Sequence, residues 1–208
     1  MAWLIRKHAL PAAARHACTI HDYLVFSICE LSRPISDPTN AASWGCYVLD
    51  QNDWNDKALN QLGIPLSLMP LVVSSGSQAG ELSQAASRRW AIPAGTPVAA
   101  ALGDNQASLL ATLTDMDHDL ALTLGTGGQL SAVVKSSVTV PHGTCELRPF
   151  PGDRMLLVAA VLSGGSAWAW LAHTVQDWLQ TFGVSTVNES EIYQRLNQLG
   201  MQAKADLQ

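Results

Sequence analysis

One acidic residue, Asp104, stands in "ALGDNQASLL" (residues 101–110) where an apolar run stops and a helix-like run begins. A carboxylate in that place has two readings. Aspartate is among the preferred helix N-caps, since its side chain accepts a hydrogen bond from the free N–H groups of the first turn, at about 1 kcal/mol of benefit. The other reading is chemical. Ligands of α/β sheets bind at the carboxyl ends of strands, and a carboxylate held there can take the proton of a substrate hydroxyl as that oxygen attacks a phosphoryl group. The two roles are compatible, and the pattern leaves both open.

Two glycine-rich stretches could face phosphate oxygens. "LGTGG" places Gly125, Thr126 and Gly127 in a turn whose N–H groups are unobstructed by side chains; hairpins also turn on glycine for purely structural reasons. "LSGGSAWAWL" sets Gly164 and Gly165 between an apolar strand and a helix. There the first N–H groups and the positive dipole end could meet a phosphate, or the glycines could simply permit close packing. The chain has no GxxxxGK[ST] loop and no GxSxG elbow, which argues against a transport ATPase and against an α/β hydrolase. His8, His16, His21, His118, His142 and His173 show no metal-binding spacing and read as structural or surface residues. Trp168, Trp170 and Trp178 read as core and interface filler. Asn188 begins "NES", the form of a glycosylation acceptor, which a cytoplasmic protein does not use.

Composition bounds the class. The 208 residues are 48% hydrophobic and 14% charged, enough to bury a core in one or two domains. A net charge of -5 lacks the clustered Lys and Arg that nucleic acid or an anionic membrane requires, so neither partner is expected. Cys18, Cys29, Cys46 and Cys145 form no CxxC pair and are expected as buried free thiols. The longest apolar stretch is broken by Gly164, Gly165 and Ser166, too interrupted for a membrane span. The first residues carry their charges after the apolar ones, the reverse of a secretory signal. A cytoplasmic location is the expectation.

The elements that must position these groups follow from periodicity. Residues 19–31 place Ile20, Tyr23, Leu24, Ile28 and Leu31 at helical spacing, with Thr19 or His21-Asp22 at the start. "SRPISDPTN" is a loop and "ASWGCYVLD" a short strand. In "QNDWNDKALNQLGIP", Asp53 precedes a helix that stops at Gly63 and Pro65. "MPLVVSSGSQAGEL" is extended and "SQAASRRW" a short helix. "PAGTPVAAAL" predicts a strand covered on both faces, and a helix starts near Asn105. The acidic "TDMDHD" marks a domain boundary. Beyond it lie a hairpin with Leu120, Leu122 and Leu124 on one face, strands at "ELRPF" and "RMLLVAAV", and helices over 166–182 and 190–199.

Six segments, "HDYLVFSI", "SDPTNAASWGCYVLD", "DWNDKALNQLGIP", "PAGTPVAAALGDNQASLL", "LALTLGTGGQL" and "LSGGSAWAWL", stand in the order found in the FGGY family of carbohydrate kinases. The chain resembles that family over nearly its whole length, and most of all the branch of sedoheptulokinase and related ketose kinases. The resemblance implies an α/β, actin/hexokinase-type (ribonuclease H-like) two-domain fold present only in part. Residues 1–114 would belong to the sugar-binding domain and 115–208 to the nucleotide-binding domain. It implies phosphorylation of a sugar hydroxyl, such as that of a ketose, with ATP and Mg2+ as cofactors. Asp104 would then be the general base and Asn105 a substrate contact; Gly125, Thr126 and Gly127 would form the phosphate-facing turn, with Gly165 near the nucleotide.

Three departures accompany the resemblance. The family's opening D-x-G-[ST] loop has no counterpart, its later adenosine-binding glycine segment is absent, and Ala169 offers a methyl group where some relatives present a polar contact. The expectation is therefore the middle of a kinase of about twice this length, inactive in isolation because phosphoryl transfer needs all its positioning groups. The alternative is a non-catalytic binding or scaffolding protein that self-associates into a homo-oligomer through uncovered apolar surface.

Overall fold

In this computed structural model, residues 1–140, 143, 145–161, 163–184 and 187–203 are described; His142 and Leu162 lie outside them. The chain divides into two compact units. The first comprises Met1–Ala121 with Ser131–Val158, and the second Leu122–Leu130 with Ala159–Gln208.

The first unit opens with α1 (Ala2–Arg6) and α2 (Ile20–Ile28). Thr19 is the N-cap of α2 in a reciprocal capping box with Asp22, which satisfies two otherwise free N–H groups. The buried face of α2 differs from the apolar stripe of the sequence. Asp22 and Val25 are buried, whereas Ile20, Tyr23 and Leu24 are 74%, 54% and 53% exposed. Next come β1 (Ile35–Ser36), α3 (Pro38–Ala41), β2 (Tyr47–Val48), β3 (Asp53–Trp54), α4 (Asp56–Gln61), β4 (Leu71–Val72), β5 (Gln78–Glu81), α5 (Gln84–Trp90), β6 (Pro97–Ala99) and α6 (Asp104–Thr112). The cap of α4 is Asn55, whose side chain accepts from Ala58 N–H, and Asp53 instead sits in a strand. Gly63, at φ 68°, supplies the left-handed residue after that helix.

β1 pairs with β4 in parallel, Ile35 opposite Leu71. β2 and β3 form an antiparallel pair, as do β5 and β6, with a bulge between Gln78 and Gly80. β6 is shorter and more open than its sequence predicts: Pro97 and Ala99 are exposed and Val98 is half-buried. Pro97 and Ala99 face solvent in the two-stranded β5/β6 sheet, whereas Ala100, just beyond the strand, is buried. A core gathers around Trp54, Leu59, Ile64 and Met69, where Trp44 and Tyr47 each meet the Trp54 ring edge-on at 5.8 Å.

β7 (Leu120–Leu124), β8 (Gly128–Lys135), β9 (Glu146–Phe150) and β10 (Arg154–Val161) form a four-stranded sheet in the order β7-β8-β10-β9. Leu156 and Val158 of β10 are fully buried and pack with Val133, Phe150 and Leu109 of α6. The "TDMDHD" segment folds on itself. The Asp119 carboxylate accepts from Thr114 N–H, Thr114 Oγ1–H and Asp115 N–H at 3.0, 2.9 and 2.8 Å, and these bonds hold its pKa below the usual carboxylate value.

The second unit carries α7 (Gly165–Thr181) and α8 (Glu189–Gln202). Trp170 and Trp178 are 68% and 62% exposed, so they are not core filler; the sequence pattern located their helix but not its buried face, which centres on Ala172. Asn188 is the N-cap of α8 and its Oδ1 accepts from Glu191 N–H at 2.9 Å. Replacing Asn188 with alanine is expected to remove that bond and lower stability by about 1 kcal/mol, read as a reduced midpoint in urea unfolding. All four cysteines are unpaired, and they are half-buried rather than buried as expected. Among the described residues no helix is long and apolar enough to cross a membrane.

Candidate active site

Asp104 is not the N-cap of α6. Gly103 holds that place without a side-chain bond, and Asp104 is the first helical residue. Its Oδ1 accepts from the N–H of Asn105 at 2.7 Å, and the residue is exposed. A carboxylate on the first turn lies at the positive end of the helix dipole. The side chain is thus open to solvent, and among the described residues its Oδ2 has no hydrogen-bond partner.

The surroundings of Asp104 are polar and built in large part from residues 39–49, which the sequence reads as the end of a loop followed by a short strand. A cavity of about 780 Å³ is walled by Asp104 and Asn105 with His21, Thr39, Ser43 and Tyr47. Asn105 Nδ2 is buried without a hydrogen-bond partner, which leaves a donor for a ligand oxygen and otherwise costs about 1–3 kcal/mol. Burial, with Asp53 and Asp37 adding to it, pushes the Tyr47 phenol up to about 12. Tyr47 therefore keeps its proton and serves as a donor, here to Asn52 Oδ1 at 3.1 Å. Arg148 also lines the cavity, but its Nε and Nη2 are bonded to Glu146 Oε2 at 3.1 and 2.7 Å. A second cavity of equal size is walled by apolar residues such as Leu4, Leu62 and Met69. Volume does not separate the two; convergent polar groups favour the one at Asp104.

Two residues of the cavity wall, Thr19 and Asn40, bond a buried carboxyl group, Asp22, at 0% exposure. Desolvation raises its pKa, the nearby Asp37 adds to that, and the hydrogen bond from Thr19 N–H opposes it. A folded value above the unfolded one means that the native state binds the extra proton. Stability therefore falls as pH rises from the ordinary carboxylate value of 3.8 through the raised folded value. Urea unfolding across that range is expected to show this slope, and Asp22→Asn to flatten it.

In the second unit the predicted phosphate turn lies between β7 and β8. Gly125 and Thr126 are exposed, and a Cβ placed on Gly125 would meet nothing within 4 Å. The start of α7 packs onto this turn. The N–H groups of Gly164 and Gly165 donate to Thr126 O and Gly125 O at 2.9 and 2.8 Å, and Ser166 N–H donates to Thr126 O at 3.1 Å. The free N–H groups expected at that helix start are thus committed to the turn. Gly164 and Gly165 are glycines because a Cβ there would lie 2.8 Å from Gly127 C and 2.6 Å from Gly125 O.

Residues 1–111 match the family model described as the FGGY family of carbohydrate kinases, N-terminal domain. The chain belongs to the FGGY family. It is 37% identical over 194 residues to the sedoheptulokinase of Homo sapiens, covering 90% of this chain and 39% of that protein. The Mus musculus sedoheptulokinase gives the same identity over 40% of its length, and a glycerol kinase from Shewanella amazonensis is 33% identical over 159 residues, 74% of this chain and 31% of that protein. The chain thus spans about two fifths of the sedoheptulokinases it matches. Among solved structures, a xylulose kinase from Rhodospirillum rubrum superposes with a TM-score of 0.77 at 19% identity, covering 98% of this chain and 40% of that one. The Plasmodium falciparum glycerol kinase with ADP gives 0.68 at 19%, covering 83% and 36%. The fold is accordingly the α/β, actin/hexokinase-type fold of FGGY sugar kinases, present in part.

Within this FGGY chain the structure joins Asp104 and Asn105 in one cavity, and Gly125, Thr126, Gly127 and Gly165 in one hydrogen-bonded turn. Sequence reasoning missed Thr39, Ser43 and Tyr47, and read His21 as structural or surface although it lines the cavity. The available signal was "SDPTNAAS", several small polar side chains in one short stretch, more than a solvent loop requires.

Proposed function

We propose that this protein contributes to the ATP-dependent phosphorylation of a sugar hydroxyl, the sugar being a ketose such as sedoheptulose. The observation that carries the proposal is the exposed Asp104 carboxylate on the first turn of α6, in a cavity lined with hydrogen-bonding groups. Asp104 accepts the hydroxyl proton as the oxygen attacks the terminal phosphate, and Asn105 orients the sugar. The 37% identity to sedoheptulokinases supports the choice of a ketose.

ATP fits the second unit in one respect: the Gly125-Thr126-Gly127 turn is open on its outer side and rigidly backed by α7. Gly165 serves the nucleotide indirectly, since its missing side chain lets the helix seat against that turn. Bound ATP supplies the phosphoryl group. Mg2+ in this reading would be held mainly by the phosphate oxygens of ATP and by water. Residues 1–114 are assigned to the sugar domain and 115–208 to the nucleotide domain of a cytoplasmic kinase. Turnover belongs to the whole protein and is not expected of these 208 residues alone.

Titration calorimetry with sedoheptulose, glycerol and ATP, followed by a phosphoryl-transfer assay on the native protein, tests the proposal. Binding and phosphorylation of the ketose in preference to glycerol is expected; phosphorylation of neither, with ATP left unbound, would remove the kinase reading.

One observation favours the scaffolding alternative. Leu122 and Leu124, on the edge strand β7, are 64% and 72% exposed, and no charged residue lies between Asp119 and Lys135. An uncharged strand edge is self-complementary, so its occupant is a second copy of this chain. Sedimentation velocity is expected to show concentration-dependent dimers that Leu122→Lys abolishes. Monomers at all concentrations exclude this reading.

A further inference from the structure

We propose that Thr39, oriented by Asp37, is a positioning residue for Asp104. Its hydroxyl bridges a buried carboxyl group and the N–H of Gly103, and so fixes where α6 begins. The purpose of that bridge rests on the reading of Asp104 as the base; the bridge itself is a separate claim.

Asp37 is 0% and Thr39 6% exposed. Three donors converge on Asp37. Oδ1 accepts from Thr39 Oγ1–H at 2.7 Å and from Asn40 N–H at 3.0 Å, and Oδ2 accepts from Ser75 Oγ–H at 2.5 Å. A hydroxyl has one proton and two lone pairs. With its proton committed to Asp37, Thr39 turns a lone pair outward, and Gly103 N–H donates to it at 2.8 Å. The direction of the bridge is thus set by the acceptor at its buried end. Asn40 holds the other side of the same loop, its Nδ2 donating to Ala101 O at 3.2 Å and to Asp22 Oδ1 at 3.5 Å. The first turn of α6 is pinned in turn by Gln106 Nε2, which donates to Pro149 O at 3.1 Å.

The result is an asymmetry. The backbone on either side of Asp104 is anchored by buried groups, while its own carboxylate is left exposed. An N-cap with a side chain could bond α6 directly, yet glycine stands there, and a Cβ at Gly103 would come within 2.7 Å of Gln106 Oε1 and 3.4 Å of Thr39 Oγ1. Thr39 supplies from another element the anchor that position 103 does not. Preorganised geometry of this kind is what keeps a general base in reach of its proton.

The test is amide hydrogen exchange and carboxyl 13C NMR on the chain without sugar or nucleotide, comparing wild type, Thr39→Val and Thr39→Ser. The Gly103 amide is expected to be protected in the wild type. Valine keeps the shape and removes the hydroxyl; it should speed Gly103 exchange about tenfold and shift the Asp104 carboxyl resonance, with the Leu156 and Val158 amides unchanged. Serine should restore both signals. Free exchange of Gly103 in the wild type overturns the proposal, as does a folded valine variant with wild-type signals, or a serine variant that behaves like valine. If valine prevents folding, protection of Gly103 in both wild type and serine supports the bridge, and its loss in either overturns it. An Asp104 variant with normal turnover would instead defeat the base assignment and leave the bridge intact.

Discussion

Replacing Asp104 with asparagine lowers phosphoryl-transfer turnover in the native protein by about 10²–10⁴-fold, the range that a general base contributes. Asparagine keeps the size of the side chain and still accepts from Asn105 N–H, the bond that the carboxylate makes at 2.7 Å. What it loses is the ability to take a proton. Because the residue is exposed and is not the N-cap, the unfolding free energy should stay within about 0.5 kcal/mol of wild type. The kinetic signature is a fall in kcat with sugar affinity by calorimetry nearly unchanged. Near-normal turnover in this variant would remove Asp104 from the mechanism, whatever the fold.

Gly165→Ala is expected to be a strongly damaging methyl addition in the second unit. The new Cβ would lie 2.6 Å from Gly125 O, a backbone atom that cannot rotate away and that accepts the Gly165 N–H bond at 2.8 Å. Overpacking of this kind costs about 1–3 kcal/mol. Here the strain falls on the turn assigned to the phosphate, so ATP affinity should fall together with stability. Gly200→Ala is the matched control. Gly200 lies inside α8 with nothing within 4 Å of its would-be Cβ, and the substitution should stabilise by about 0.5–1 kcal/mol. Thermal unfolding and ATP titration of the two variants check both signs; equal behaviour would mean that Gly165 is not a close-packing position.

Much of the element order was legible in the sequence, because caps and stop signals are local. Thr19 before α2 and Gly63 after α4 stand where turn and cap chemistry places them. Burial was less legible, since it depends on what lies opposite an element. The α2 stripe of Ile20, Tyr23 and Leu24 faces outward, and the helix instead buries Asp22, whose partners Thr19 and Asn40 come from its own cap and from α3. Periodicity registers a face but not which face is covered. The site was legible in its chemistry-bearing residue, Asp104, and illegible in its support. Thr39 reaches Gly103 across 64 residues of chain, and no local pattern encodes that distance.

The outward leucines of β7 bear on the fate of the molecule in the cell. An open strand edge flanked by apolar side chains is the kind of feature by which quality-control machinery distinguishes finished from unfinished proteins. We expect the cellular lifetime of this chain to follow how quickly that edge is shielded more than its equilibrium resistance to denaturant. A pulse-chase comparison of wild type with Leu122→Lys should then show a longer half-life for the lysine variant even where their melting temperatures agree.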